Sequence, residues 1–600
     1  MSPGRDTIIQ SALDRRNLPA LFAALPLLKE LDPAMLEEMT REVEWFSLPG
    51  GTTLYSAGEP ADGLYVVVNG GLGLYAPTPA GGARLCGSIS PGETVGEMEV
   101  LSGKSRGATA VTLRDTEVAR ISTSTFEKLA TANSRVLRQV ARIVVERLEA
   151  TQRADIKPRA APKTFALVPA SSDLDPGDFA RQFLTCLRDL GPSELVTGAQ
   201  AKEHTSHWFH RLERANAFVV YMSDAGTTSW SKLCARQADC RLVLARDHSD
   251  PTTWRGLESS AEQPPTVEST ELVLLHGSGD TARIARRWLD LGSFHRHHHV
   301  RGSSDTARVA RLLTGRGHGL VLSGGGARGF AHIGVLRALS TAQIPVDSVG
   351  AVSIGAIIGA GWAAGWSVPE MVERMRRSLV DVNPLGDYTV PLVSLSAGRR
   401  VNRLLRREFG ESQIEDLPLP FFCVSANLTG GQLTVHQRGR LWLWLRASVA
   451  IPGVLPPVFT KGEAYVDGAT LNNLPVDVMR ETMNGTILAV DAGADRAFHT
   501  EMELSEMPPV WALPAWLRRN RRRINVIQIL LRSGMLNSTA VTVAQRELAD
   551  VVIKPPLEHI DLLDWRSFER AIELGYRHAS ENMDQYSAAL NRNRPTTVVS

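Results

Sequence analysis

The sequence predicts a multidomain α/β protein, and three observations carry that reading. Its 600 residues exceed one core at the usual ~100–200 residues per domain. Short β-branched runs alternate with helix-length segments along most of the chain, the pattern of layered α/β units. Two strands in the C-terminal half run at once into a small-residue turn and an apolar helix. Composition agrees, with 43% hydrophobic and 22% charged residues, the proportions of ordinary globular domains. The net charge of +2 gives no global case for nucleic acid as a partner. Five cysteines, Cys86, Cys186, Cys234, Cys240 and Cys423, are odd in number and form no CxxC pair, which fits reduced, mostly buried thiols. The opening Met-Ser-Pro-Gly-Arg-Asp shows no basic stretch leading into an apolar one, so no signal peptide is read.

Residues 1–155 form the first unit, a β-roll with flanking helices. Asp62-Gly63-Leu64-Tyr65-Val66-Val67-Val68-Asn69-Gly70 is a strand bounded by turn residues, and Gly71–Tyr75 alternates after it. From Ser134, Val136, Leu137, Val140, Ile143, Val144 and Leu148 recur at helical spacing. A Pro-punctuated linker at 156–163 follows. Residues 164–312 make a small α/β domain with strands at Phe165–Val168, Ala217–Tyr221, Arg241–Ala245 and Glu271–Leu275. Its first strand ends in Pro169-Ala170-Ser171 rather than a glycine-rich phosphate loop. The run His295-Arg296-His297-His298-His299 invites a metal, but no Asp, Glu or Cys lies at ligand spacing. A solvated interdomain strand or loop is expected there, and no metal site. Residues 313–590 form the last α/β unit. The charge-free stretch Ser348–Pro369 within it could span a bilayer by length, but its glycines, serines and proline suit a core strand, turn and helix.

The chemistry sits in this last unit. Leu320-Val321-Leu322-Ser323 leads into Gly324-Gly325-Gly326-Ala327-Arg328-Gly329 and then an amphipathic helix from Phe330 to Leu339. A strand, glycine loop and helix aim backbone N–H groups at one point, fit for a phosphate or an oxyanion. No Walker Lys-Ser/Thr follows, and Gly324, Gly326 and Gly329 match a dinucleotide fingerprint only loosely. The next strand decides. Val346–Val352 runs into Ser353 and then Ile354-Gly355-Ala356, a nucleophile elbow in which small neighbours leave room for a tight turn. Ala351 stands two before the serine where glycine is usual. The base is Asp467, which ends the apolar run Glu463–Val466 and lies 114 residues further on. His332 and His436 hold no convincing third position, so a Ser–Asp dyad is expected, the carboxylate acting directly as general base.

These pieces, in this order, resemble the patatin-like phospholipase family: Gly-Gly-Gly-x-Arg-Gly at Gly324–Gly329, the elbow at Ser353, Asp-Gly-Ala at Asp467 and the segment Arg446–Gly453. The resemblance implies a patatin-like α/β/α sandwich, oxyanion-hole amides from Gly325, Gly326 and Arg328, an acyl-Ser353 intermediate and no required cofactor.

Gly96-Glu97 followed by Arg106-Gly107-Ala108-Thr109-Ala110 resembles the phosphate cassette of cyclic-nucleotide-binding domains. That resemblance implies Glu97 on the ribose hydroxyl, Arg106 on the cyclic phosphate and amides near Gly107 and Ala108 completing the anion site. Either cAMP or cGMP is then a regulatory ligand, or the domain is a degenerate regulatory or dimerisation module. Glu99 departs from the pattern by placing a negative charge beside the anion site.

Met507–Leu517, with Trp511 and Trp516, precedes five arginines between Arg518 and Arg523. This composition suits an anionic lipid interface or a solvated loop. A cytoplasmic chain with peripheral membrane contact is expected. The whole order of domains is similar to the neuropathy target esterase group of lysophospholipases, without an N-terminal transmembrane anchor and with one nucleotide-type domain. The expected activity is deacylation of phospholipids or lysophospholipids. The alternatives are a thioesterase or neutral-lipid esterase with the same dyad, or a catalytically silent, nucleotide-responsive scaffold.

Overall fold

The structure is a computed structural model that describes residues 41–77, 83–132, 161–201, 206–226, 228–247, 269–277, 285–291, 294–493 and 536–592, with scattered positions between. Two compact units divide after Leu275, with Leu291–His297 belonging to the first and the remainder to the second.

The first unit opens with two antiparallel sheets of four strands. One has the order β1-β8-β3-β6 and the other β2-β7-β4-β5, built from β1 (Glu44–Leu48), β2 (Thr53–Tyr55), β3 (Gly63–Asn69), β4 (Leu72–Pro77), β5 (Ala83–Ile89), β6 (Thr94–Val95), β7 (Thr109–Thr112) and β8 (Thr116–Ser122). Strand alternation sorts the core. Tyr65 and Val67 join Leu72, Ala110 and Val118 in one cluster, while Leu64 and Val66 join Ile121 and the helical Phe126 and Val140 in another. The expected β-roll is therefore present.

A further sheet of this unit contains the parallel strands β9 (Thr164–Pro169), β10 (Ser193–Thr197), β11 (Phe218–Met222), β12 (Cys240–Arg246) and β13 (Ser269–Leu275), in the order β10-β11-β9-β12-β13, with the strand Arg296–Val300 next to β13. Arg114, in the β7–β8 turn, reaches Glu213 at 3.5 Å and Asp239 at 3.4 Å, fastening roll to sheet through buried charges.

The chain passes into the second unit along β14 (Arg296–Val300). The expectation of a solvated His-rich strand or loop needs correction here. The element is a strand, but His298 and His299 are buried. His299 Nδ1 shares a hydrogen bond with His276 Nε2 at 2.7 Å, and its Nε2 meets the Glu415 carbonyl at 2.9 Å.

The second unit is built on an eight-stranded mixed sheet, β19-β20-β17-β16-β15-β21-β22, with β18 also paired to β17. Its strands are β15 (Gly317–Leu322), β16 (Ser348–Val352), β17 (Phe421–Asn427), β18 (Gln432–His436), β19 (Val458–Thr460), β20 (Glu463–Asp467), β21 (Gly485–Val490) and β22 (Val551–Ile553). Helices cover both faces, so the central strands are apolar on both sides: Leu320 and Leu322 pack into one core cluster and Val321 into the other. No helix among the described residues is long and apolar enough to cross a membrane; Ser348–Ala363 is the strand, turn and buried helix expected.

Candidate active site

Ser353 sits at the end of β16 with φ 54° and ψ −128°, a region that side chains rarely adopt and that elbows hold under strain. Its surroundings over-determine that conformation. The Ser353 N–H donates to Ser448 Oγ at 2.9 Å, and Ser448 Oγ donates to the Val424 carbonyl at 2.8 Å. A Cβ on Gly355 would stand 2.5 Å from the Ser323 carbonyl, so only glycine fits two after the serine. Ala351 lies buried between its strand partners Leu322 and Cys423, and the turn forms with alanine there.

Sheet register delivers the carboxylate. Val352 pairs with Val424 across parallel β16 and β17. On the other side of β17 the antiparallel β20 sets Asp467 opposite Ser425, the next residue along. The residue after Val352 therefore comes level with Asp467. Ser353 Oγ donates to Asp467 Oδ2 at 2.7 Å, and the Ala469 N–H donates to Oδ1 at 2.9 Å. Burial pushes the Asp467 carboxyl up to about 7, against the lowering by those two hydrogen bonds. A carboxyl so poised takes up and releases a proton near neutrality.

The glycine loop lies beside this pair. Gly325 and Gly326 line the same cavity as Ser353 and Asp467, and neither amide donates to another group among the described residues. Gly326 has φ 54°, and a Cβ there would meet the Leu562 carbonyl at 2.2 Å. The expectation of a third oxyanion amide from Arg328 is corrected. Its N–H already donates to the Gly325 carbonyl at 3.2 Å, and its Nε donates to the Ile560 carbonyl at 2.6 Å. Arg328 clamps the loop to the C-terminal segment. Neither histidine weighed from the sequence hydrogen-bonds the pair. His332 Nε2 meets the Ser323 carbonyl at 2.9 Å, with its pKa lowered to about 4 by burial. His436 meets Ser425 Oγ at 2.7 Å and is lowered to about 3, again by burial. Ser448 escaped the sequence reading as a site residue, although its segment was part of the resemblance; a side chain that bridges two strands has no local signature.

A narrow cavity that opens to solvent lies over Ser353. Ile357, Leu379, Val401, Leu404, Leu455 and Trp565 are among its walls. Among the described residues its walls other than Ser353 and Asp467 are apolar or aromatic, which suits an acyl chain with an ester placed at one end.

In the nucleotide-type cassette the residues singled out have partners within the chain. Arg106 is buried, pairs with Asp62 at 2.8 Å, donates to the Gly63 carbonyl at 2.6 Å and lies over the Tyr55 ring. Gly96 has φ 88°, a left-handed conformation that favours glycine, and packs against Arg106. The Gly107 N–H donates to Glu99 Oε1 at 3.2 Å. Glu97 is buried in the first turn of the short Glu97–Ser102 helix, and Ala108 is half-buried beside Gly107. The interfacial segment foreseen at Trp511, Trp516 and Arg518–Arg523 lies almost wholly outside the described residues.

Comparison with known proteins follows the same division. Residues 320–480 match the patatin-like phospholipase family, residues 45–133 the cyclic nucleotide-binding domain and residues 162–315 the Neuropathy Target Esterase family P-loop like domain. Fold and site together define a patatin-like protein with a Ser–Asp pair, preceded in sequence by a nucleotide-type β-roll. An NTE family protein of Mycobacterium bovis is 30% identical over 573 residues, covering 92% of this chain and 94% of its own length. The chain belongs to the neuropathy target esterase (NTE) family. Human patatin-like phospholipase domain-containing protein 6 is 29% identical over 633 residues, 93% of this chain and 46% of its own. Lysophospholipase NTE1 of Candida glabrata is 27% identical over 725 residues, 94% of this chain and 42% of its own. The chain thus spans less than half the length of these two relatives.

Proposed function

We propose that the chain is a serine ester hydrolase that deacylates phospholipids or lysophospholipids through an acyl-Ser353 intermediate. The observation that carries this reading is the 2.7 Å hydrogen bond from Ser353 Oγ to a buried carboxylate at the head of an apolar cavity. Asp467 Oδ2 takes the hydroxyl proton as Oγ bonds to the ester carbonyl carbon. The carbonyl oxygen becomes an oxyanion facing the Gly325 and Gly326 amides, each such donor being worth ~2.7–4 kcal/mol. Collapse breaks the ester bond, and the departing alcohol takes the proton from Asp467. Water then attacks the acyl-serine and gives its proton to Asp467. Release of the fatty acid returns that proton to Oγ.

A fluorophosphonate probe tests the nucleophile directly. The expected result is a covalent adduct on the peptide containing Ser353, together with turnover of lysophosphatidylcholine. An unlabelled serine with no turnover of lipid esters or thioesters would mean a silent scaffold.

The nucleotide-type domain is read as a module held shut by its own side chains. cAMP or cGMP would have to displace Glu99 from Gly107 and separate Arg106 from Asp62. Calorimetric titration of the wild-type chain is expected to show no binding of either nucleotide. Asp62→Asn combined with Glu99→Ala is expected to bind one of them. Wild-type binding at micromolar concentration would overturn this reading.

A further inference from the structure

The segment between Val382 and Gly398 exposes apolar side chains that the fold of the chain does not use. Tyr388 is 72% exposed, Val390 71%, Leu392 88% and Val393 61%, and no charged residue occurs from Tyr388 to Gly398. Four large apolar side chains in six residues, this open, form a patch of the kind that marks an interaction site.

The loop is a built feature. Tyr388 bridges Ser396, and the Thr389 N–H donates to the Leu395 carbonyl at 3.0 Å. Asp387 accepts from Ser396 Oγ at 2.6 Å and from the Arg399 N–H at 2.7 Å, joining the base of the loop to the Arg399–Phe409 helix. The Leu395 and Ser396 N–H groups donate to the Gly453 and Val454 carbonyls.

Both feet of this hairpin rest on the acyl cavity. Pro384 and Leu385, before the tip, line it, as do Ile451 and Leu455 on either side of the carbonyls that anchor the far strand. The helix that follows is two-faced. Val401 and Leu404 line the cavity, while Arg399, Arg400 and Arg403 are exposed and form no ion pair among the described residues. An apolar tip beside arginines that form no ion pair among the described residues, on a hairpin whose base lines an apolar cavity, is complementary to one surface in particular. Apolar residues enter the acyl region of a bilayer while neighbouring cations meet anionic headgroups.

We propose that Tyr388, Val390, Leu392 and Val393, with Arg399 and Arg403, form the docking surface by which this chain sits on an anionic lipid bilayer. The cavity mouth is thereby set against the membrane, which rests on the hydrolase reading for its purpose but not for the binding itself.

The test is cosedimentation of the full chain with phosphatidylcholine vesicles, with and without phosphatidylglycerol. Tyr388→Ser, Leu392→Ser and Val393→Ser together are expected to lower partitioning to either vesicle by about tenfold or more. Arg399→Gln with Arg403→Gln is expected to remove most of the added affinity for the anionic vesicle and leave the rest. Thermal melts and hydrolysis of a water-soluble short-chain ester should be those of wild type. Trp511→Ser with Trp516→Ser provides the competing arm and is expected to retain most binding. The proposal is overturned if the triple variant partitions like wild type, if binding is lost with the tryptophans instead, or if wild type binds no vesicle. It is equally overturned if sedimentation shows a wild-type dimer that the triple variant breaks, without vesicle binding. Failure to hydrolyse any ester would instead refute the proposed function and leave the partitioning result standing.

Discussion

Ser353→Ala is expected to lower kcat/KM on lysophosphatidylcholine by about 10⁴-fold or more while the chain stays folded. The hydroxyl is the group that would form the acyl bond, and Ser448 supports the backbone N–H of residue 353 rather than its side chain. Alanine therefore keeps the hydrogen bond that shapes the elbow. It also removes the Ser353 donor that lowers the Asp467 pKa, so the buried carboxyl is held further towards its neutral form. The measurement is turnover beside circular dichroism melting. Appreciable residual turnover in a well-folded variant would place the nucleophile elsewhere.

Asp467→Asn is expected to cost about 10³–10⁴-fold, with no loss of stability. An amide cannot take the Ser353 proton, yet it fills the same space and can accept from the Ala469 N–H. In wild type the same carboxyl sets the pH profile. Because the ionised form is the base, kcat/KM should rise about tenfold per pH unit below the group's value and level off above about 7. The sign for stability is the reverse. The folded chain retains a proton there that the unfolded chain, with an ordinary value of 3.8, releases. This group's favourable contribution is therefore present at acid pH and lost as pH rises from about 4 to about 7. The cost of holding it ionised is at most about 4 kcal/mol, at 1.36 kcal/mol per pH unit. Asparagine removes that cost, so the variant should melt at or above wild type at pH 8, and the gap should narrow towards pH 5. A near-normal rate would mean another base, although His332 and His436 are both buried, lowered in pKa and hydrogen-bonded elsewhere.

What could be read from the sequence was whatever local pattern encodes. The strand-to-serine turn, the glycine loop and the apolar run ending at Asp467 each announce a backbone shape. The β-branched run around Val66, bounded by turn residues, announces a strand. Glu99 was legible as an anomaly, a carboxylate where an anion should bind, and it donates nothing there but accepts from Gly107. Other features depend on distant partners. Arg328 looked like part of the loop chemistry, but Ile560, 232 residues away, claims its side chain. His298 and His299 look solvated as a polar run but are buried, and the partners of His299, His276 and the Glu415 carbonyl, are distant in sequence. Ser448 is ordinary until Val424 and Ser353 stand on either side of it. The apolar residues from Tyr388 to Val393 resemble any core strand in sequence, and only their exposure shows that they lie outside the core among the described residues.

The two halves of the reactive pair reach each other across one intervening strand, and that has a consequence for how the chain fails. Side chains on a strand alternate between faces, so a slip of β20 by a single position against β17 would turn Asp467 to the opposite side. Hydrolysis is thus a digital report on strand alignment: misaligned molecules do not work slowly, they do not work. Lengthening the Lys461-Gly462 connection should be tolerated, whereas one residue added between Glu463 and Asp467 should silence an otherwise compact protein.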